Sequence, residues 1–168
     1  MQKGRKTQGN VADFLISGYV LRLGSGLDRA LLVQFMQRTY QELYPNYDYT
    51  HLAYTVDRFL SSDTPLWWVY VEADPRSPVG CLWLGNAADQ VQGDRHAYIF
   101  LLYVNPTHRR RGIGSALLRQ AETWAVKRGD RQIGLQVFCN NQPAISLYQK
   151  LGYQTQSLWM VKELGEES

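Results

Sequence analysis

Eight consecutive apolar residues, Ala97 to Val104 (AYIFLLYV), lead into Asn105-Pro106, three arginines and a stretch with apolar residues at helical spacing. No other feature narrows the fold as much. A strand that is apolar at every position suits a place covered on both faces. In the helix, Leu117, Leu118, Ala121, Trp124 and Ala125 fall on one continuous face. Lys127 and Arg128 close it where cations suit the helix dipole, and Gly129 is placed for a left-handed C′ residue. Gln132 to Phe138 then sets Ile133, Leu135 and Val137 against polar or small residues, which reads as another strand. Strand, helix and strand in this order make a parallel crossover, so the chain is expected to be α/β.

The flanking segments fill out a mixed sheet. Tyr19 to Leu23 alternates as a strand, Gly24-Ser25-Gly26 breaks it, and Asp28 can cap a helix through Leu31, Leu32, Phe35 and Met36. A second helix is expected from about Thr50 to Leu60, with Leu52, Val56, Phe59 and Leu60 inward. Leu66 to Val71 reads as a strand, Asp74 to Pro78 as a turn, Val79 to Leu84 as the returning strand and Gly85 to Asp94 as a loop. After the crossover come a helix from about Pro143 to Leu151 and two closing strands, Tyr153 to Ser157 and Trp159 to Leu164. The expected architecture is a mixed, mostly antiparallel central sheet with helices on both faces. Its parallel crossover runs from the fourth strand through the third helix to the fifth.

A chain of 168 residues suits one core. Residues 1–18 are expected to be an N-terminal extension, 19–164 a single domain and 165–168 a tail. The net charge of +3 gives no case for nucleic acid. The positive charge is local, in Lys3, Arg5 and Lys6 and in Arg109 to Arg111, while Glu163, Glu166 and Glu167 make the end acidic. An apolar run of eight falls short of the roughly 20 residues a membrane helix needs. Gln8, Asn10 and Asp13 interrupt any secretory signal, so the expected location is the cytoplasm, with no membrane partner. Cys81 and Cys139 stand far apart and are expected to be buried small hydrophobes. His51, His96 and His108 form no ligand pattern, so no metal is expected.

The segment Thr107 to Leu118 (THRRRGIGSALL) places arginines and glycines at the opening of a helix. Helix starts leave N–H groups without partners, and with the dipole these attract anions. Gly112 and Gly114 let a phosphate come close to the backbone, and Arg109, Arg110 and Arg111 suit several phosphates. Walker A chemistry would need a lysine after Gly114, where Ser115 stands. The dinucleotide fingerprint would need glycine where Leu117 stands. A glycine-rich turn carrying surface arginines fits the segment as well as anion binding does. Further on, Asn140 to Gln154 (NNQPAISLYQKLGYQ) gives a helix with a core stripe of Ala144, Leu147 and Leu151. Tyr148 lies at the edge of that stripe, either as packing or with its phenol offered to a cleft as a proton donor.

Taken together, the two segments resemble the Gcn5-related N-acetyltransferase (GNAT) family. Arg109-Arg110-Arg111-Gly112-Ile113-Gly114 matches that family's acyl-CoA loop, and Asn141 through Tyr153 matches its downstream signature. The resemblance runs from about Tyr19 to Leu164. It implies acetyl-CoA as cosubstrate, with the diphosphate held at Arg109, Arg110, Arg111, Gly112, Ile113, Gly114 and Ser115. It also implies a pantetheine arm paired with the edge of the fourth strand at Leu102, Tyr103 and Val104. Asn141 would contact the cofactor or cap its helix, and Tyr148 would protonate the departing thiolate. A small-molecule or protein amine would attack the thioester directly, without a covalent enzyme intermediate; a homodimer is left open.

Many relatives carry an acid in the middle of the fourth strand, where this chain has Leu101, so the resemblance names no general base. One is needed, because an amine with a pKa near 10 is neutral in only about one molecule per thousand at pH 7. Asp94, His96, Glu72 and Tyr103 are the candidates. The acceptor region implied by the resemblance holds Tyr40, Tyr44, Tyr47, Tyr49 and Tyr54 with Glu42 and Asp48. These could surround a cation or mark the solvent boundary of a helix pair. A domain that binds acyl-CoA without catalysis, as a sensor or interaction module, is the alternative function.

Overall fold

The structure is a computed structural model and describes residues 14 and 16–165. Lys3, Arg5 and Lys6 and the acidic pair Glu166 and Glu167 lie outside the described residues. The chain divides into two compact units, residues 1–136 and 137–168.

The first unit is built on a five-stranded sheet in the order β1 (Tyr19–Leu23), β2 (Leu66–Val71), β3 (Asp74–Ala88), β4 (Arg95–Val104) and β5 (Ile133–Leu135). The first four strands are antiparallel and β5 runs parallel to β4. Helices α1 (Arg29–Leu43) and α2 (Leu52–Phe59) connect β1 to β2, and α3 (Ile113–Arg128) makes the crossover. The mixed sheet expected from the sequence is therefore the one formed.

One sheet face contributes Leu66, Trp68, Cys81, Trp83, Leu101 and Tyr103 to a core with Leu32, Phe35 and Met36 of α1 and Leu52 and Val56 of α2. Strand alternation turns Trp67, Val69, Leu82, Leu84, Ala97 and Ile99 to the other face, where α3 packs through Leu117, Leu118 and Ala121. The end of α3 follows the expected chemistry: Gly129 is left-handed at φ +91° and caps the helix. Next to it, Asp130 accepts the Ala97 N–H at 2.7 Å and pairs with Arg128 at 2.5 Å. Burial pushes the Asp130 carboxyl up, but Arg128 and the Ala97 N–H outweigh it and hold the group below the usual range. This contact ties the start of β4 to the end of α3 and fixes the parallel register Ala97↔Ile133.

Several elements differ from expectation. Asp28 stands at the N-cap of α1 but makes no side-chain cap there; it accepts the Ser25 N–H and the Trp68 indole, while Ser25 caps the preceding 3-10 turn, Gly26–Asp28, by accepting the Leu27 N–H. The β2–β3 turn is Glu72-Ala73, so residues 74–78 join β3 through an irregular register. The expected loop at Gly85 shrinks, because β3 continues to Ala88 and pairs with β4 up to Arg95. Asp89 closes what remains by accepting the Val91 and Gln92 N–H groups. Cys81 is buried as expected, but Cys139 is exposed.

The decisive irregularity is in β4. Trp83 pairs with Leu101 and Leu84 with Ile99, which leaves Phe100 as an extra residue, a β-bulge. Its ring packs on Trp83 and Phe59, at 4.7 and 5.0 Å between centroids. Gly85 makes room: a Cβ there would sit 1.8 Å from the Phe100 ring. The β4–β5 ladder stops at Ile99↔Leu135, one residue before the bulge. That is why β5 spans three residues and not the seven from Gln132 to Phe138.

In the second unit, α4 (Gln142–Lys150) is capped by Asn141, whose side chain accepts the Ala144 N–H, and Gly152 turns the chain at φ +94°. The expected closing strands, Tyr153–Ser157 and Trp159–Leu164, are not formed. Residues 153–165 carry strand-forming alternation, but a strand exists only with a ladder partner, and there is none among the described residues of this unit.

Candidate functional site

Beyond the bulge, β4 presents an edge that no strand covers among the described residues. The Asn105 N–H donates to Val79 O at 2.7 Å, which sets the phase of the antiparallel ladder. Tyr103 therefore turns its peptide groups to β3, and Leu102 and Val104 turn theirs to the open side. Of the three residues expected along this edge, Leu102 and Val104 offer backbone groups there, while Tyr103 contributes its side chain on the α1 face.

The chain then enters a short 3-10 turn, Pro106–His108, with Asn105 accepting the Thr107 N–H and hydroxyl. His108 is tied to β1 through Tyr19, whose hydroxyl meets Nδ1 at 2.7 Å. Arg110 follows at φ +63°, the one non-glycine left-handed residue among those described, and Gly112 at φ +82°. Left-handed residues alternating with right-handed ones can turn backbone N–H groups to a common concavity, a known cradle for anions. Backbone strain of this kind concentrates at binding sites.

Helix α3 begins directly at Gly112, which has no side chain to cap it. The first bond of the ladder runs from the Ala116 N–H to Gly112 O, so the Ile113, Gly114 and Ser115 amides have no acceptor within the helix. They sit at its positive end. Arg111 faces an adjoining open cavity of about 480 Å³ whose walls include Tyr19, Glu72 and His108.

Arg109 is engaged differently. Its Nε donates to the Val104 carbonyl at 2.7 Å, and one terminal nitrogen reaches both oxygens of Glu42, at 2.8 and 2.9 Å. Its guanidinium carbon lies 5.6 Å from the centroid of the Tyr103 ring. Burial, then the charge of Glu42, push the Tyr103 phenol above its usual range, with Arg109 opposing. Sequence reasoning grouped Arg109 with its neighbours as a phosphate ligand and did not see this bridge to α1, which pairs residues 67 apart.

The other expected residues are placed as follows. Asn141 caps α4 in the second unit. Tyr148 lies on the same helix with its ring 5.7 Å from that of Tyr153. Burial pushes its phenol up to about 12, so it holds its proton at neutral pH. Among the candidate bases, Asp94 pairs with Arg131 and His96 is buried with Nδ1 against Ala97 O. In the tyrosine-rich region, Tyr49 is buried and donates to Tyr44 O, whereas Tyr47 and Tyr54 are exposed. One signal was readable but missed: Gly85, a glycine within a strand, marks a close approach; Glu42, expected in the acceptor region, is found paired with Arg109.

Known proteins share the fold. The pattern of the Acetyltransferase (GNAT) family matches residues 33–153. An uncharacterized N-acetyltransferase of Methanocaldococcus jannaschii is 37% identical over 82 residues, 46% of this chain and 34% of that protein. The chain spans 34%, 57% and 51% of the length of three of the curated relatives it matches. A putative acetyl transferase from Pyrococcus furiosus superposes with a TM-score of 0.64 at 28% identity, covering 87% of this chain and 99% of that one. A predicted acetyltransferase from Clostridium acetobutylicum, solved with acetyl-CoA, shares the fold at a TM-score of 0.69 and 21% identity over 86% of this chain and 96% of its own.

Proposed function

Since the chain belongs to the acetyltransferase (GNAT) family, we propose that it transfers the acetyl group of acetyl-CoA to a primary amine by direct attack. One observation carries the reading: the open β4 edge at Leu102 and Val104 leads straight into the uncapped amides of Ile113, Gly114 and Ser115. An extended arm ending in a diphosphate fits that sequence of groups, with amides for the anion and peptide groups for the arm. Residues 19–164 act as one acetyltransferase domain.

In this reading the α3 amides and the Arg110 and Arg111 side chains hold the diphosphate, with Arg109 available from the same loop. The Leu102 peptide groups and the Val104 N–H align the arm, and an N–H on that edge draws charge from the acyl carbonyl as the amine attacks. Acetyl-CoA supplies the activated acyl group. Tyr148, kept protonated by burial, gives its proton to the departing thiolate. Asn141 serves by capping α4. Free thiols at Cys81 and Cys139 accord with a cytoplasmic location.

Thiol release from acetyl-CoA, measured over a panel of small amines and peptides, tests the reaction. Amine-dependent release is the expected result. Tight CoA binding with no amine raising turnover would instead support a binding module.

A further inference from the structure

Three groups surround the Arg109 guanidinium: both carboxylate oxygens of Glu42, the Val104 carbonyl and the face of Tyr103. A carboxylate, a carbonyl and an aromatic face are also what receives an alkylammonium. Resting on the acetyltransferase reading, we propose that Glu42, Tyr103 and the Val104 carbonyl form a subsite for an ammonium group of a cationic acceptor other than the amine that is acetylated. Arg109 occupies this subsite until the coenzyme diphosphate draws its guanidinium away.

The position suits the role. Val104 O lies on the open edge of β4, and Glu42 is one guanidinium away from it on the α1 face. Arg109 also belongs to the loop that leads to the uncapped α3 amides, so it can turn to an anion there without a change of fold. The pair it would leave is half-exposed, at 41% and 37% for the two side chains. Ion pairs that wet are weak and exchange readily, whereas a diphosphate offers guanidinium a stronger, charge-assisted and bidentate partner. Once Arg109 departs, Glu42 is a carboxylate without its cation, beside an aromatic ring and a carbonyl. An incoming ammonium restores the balance. Coenzyme and amine thus strengthen each other's binding, and such coupling is reciprocal.

Calorimetric titration of CoA, in n-butylammonium chloride and in sodium chloride at equal ionic strength, tests this. The wild-type chain is expected to bind CoA several-fold more tightly in n-butylammonium. In Glu42→Gln that difference should vanish, and CoA affinity in sodium chloride should already exceed the wild-type value, because Arg109 is released. Arg109→Ala, a second variant on the other side of the pair, should also lose the difference. Equal wild-type affinity in the two salts, or a difference that survives in Glu42→Gln, overturns the proposal. CoA that binds under no condition refutes the acetyltransferase reading itself, a separate failure.

Discussion

Arg110 holds a left-handed backbone at φ +63° where glycine would be at ease. A non-glycine residue in that region costs on the order of 1 kcal/mol. Arg110→Gly is expected to raise thermal stability by about that amount while weakening CoA affinity, since one cation is lost and the loop gains freedom. Stability gained with affinity unchanged would show that Arg110 takes no part in binding. Tyr148 makes the opposite kind of contribution, through a proton. Tyr148→Phe should lower kcat by roughly 10²-fold with CoA affinity unchanged. Its phenol is raised from 10.0 to about 12 by burial, so the folded state retains a proton that the unfolded state releases. The associated stability is complete below pH 10 and is lost as pH rises towards 12. Melting temperatures from pH 9 to 12 should therefore fall more steeply for wild type than for Tyr148→Phe.

Among the elements, β4 was the most legible and also the most incompletely read. Its apolar run announced a strand covered on both faces, and the helix behind it announced the crossover. Hydrophobic pattern does not report a one-residue bulge, because Phe100 and Leu101 are both apolar and either phase of the strand looks buried. Gly85 was the available clue. Gly85→Ala would drive a methyl into the Phe100 ring, an overpacking that costs typically 1–3 kcal/mol. Beyond that loss, the displaced ring should disturb the divergence of β4 from β5. We expect a lower melting temperature together with weaker CoA binding; a stability loss with normal CoA affinity would separate the bulge from the site. The short β5 follows from the same event. Segments 153–157 and 159–164 mark the other limit, since alternation expresses a strand's preference while the ladder must come from elsewhere.

Across the whole molecule, the parts of the site made by backbone were legible through the residues that shape backbone: Asn105-Pro106, the glycines and the opening of α3. Their motifs are local, so spacing alone carries them. What depended on distant pairing was not legible. Glu42 at the end of α1 meets Arg109 after β4, and Tyr19 of β1 meets His108 of the same loop, pairs 67 and 89 residues apart. The most direct measurement is a titration with CoA followed by backbone amide resonances. Saturable shifts at Ile113, Gly114 and Ser115, accompanied by Leu102, are the expected result. Saturable CoA binding that leaves those four amides unmoved would contradict the site described above.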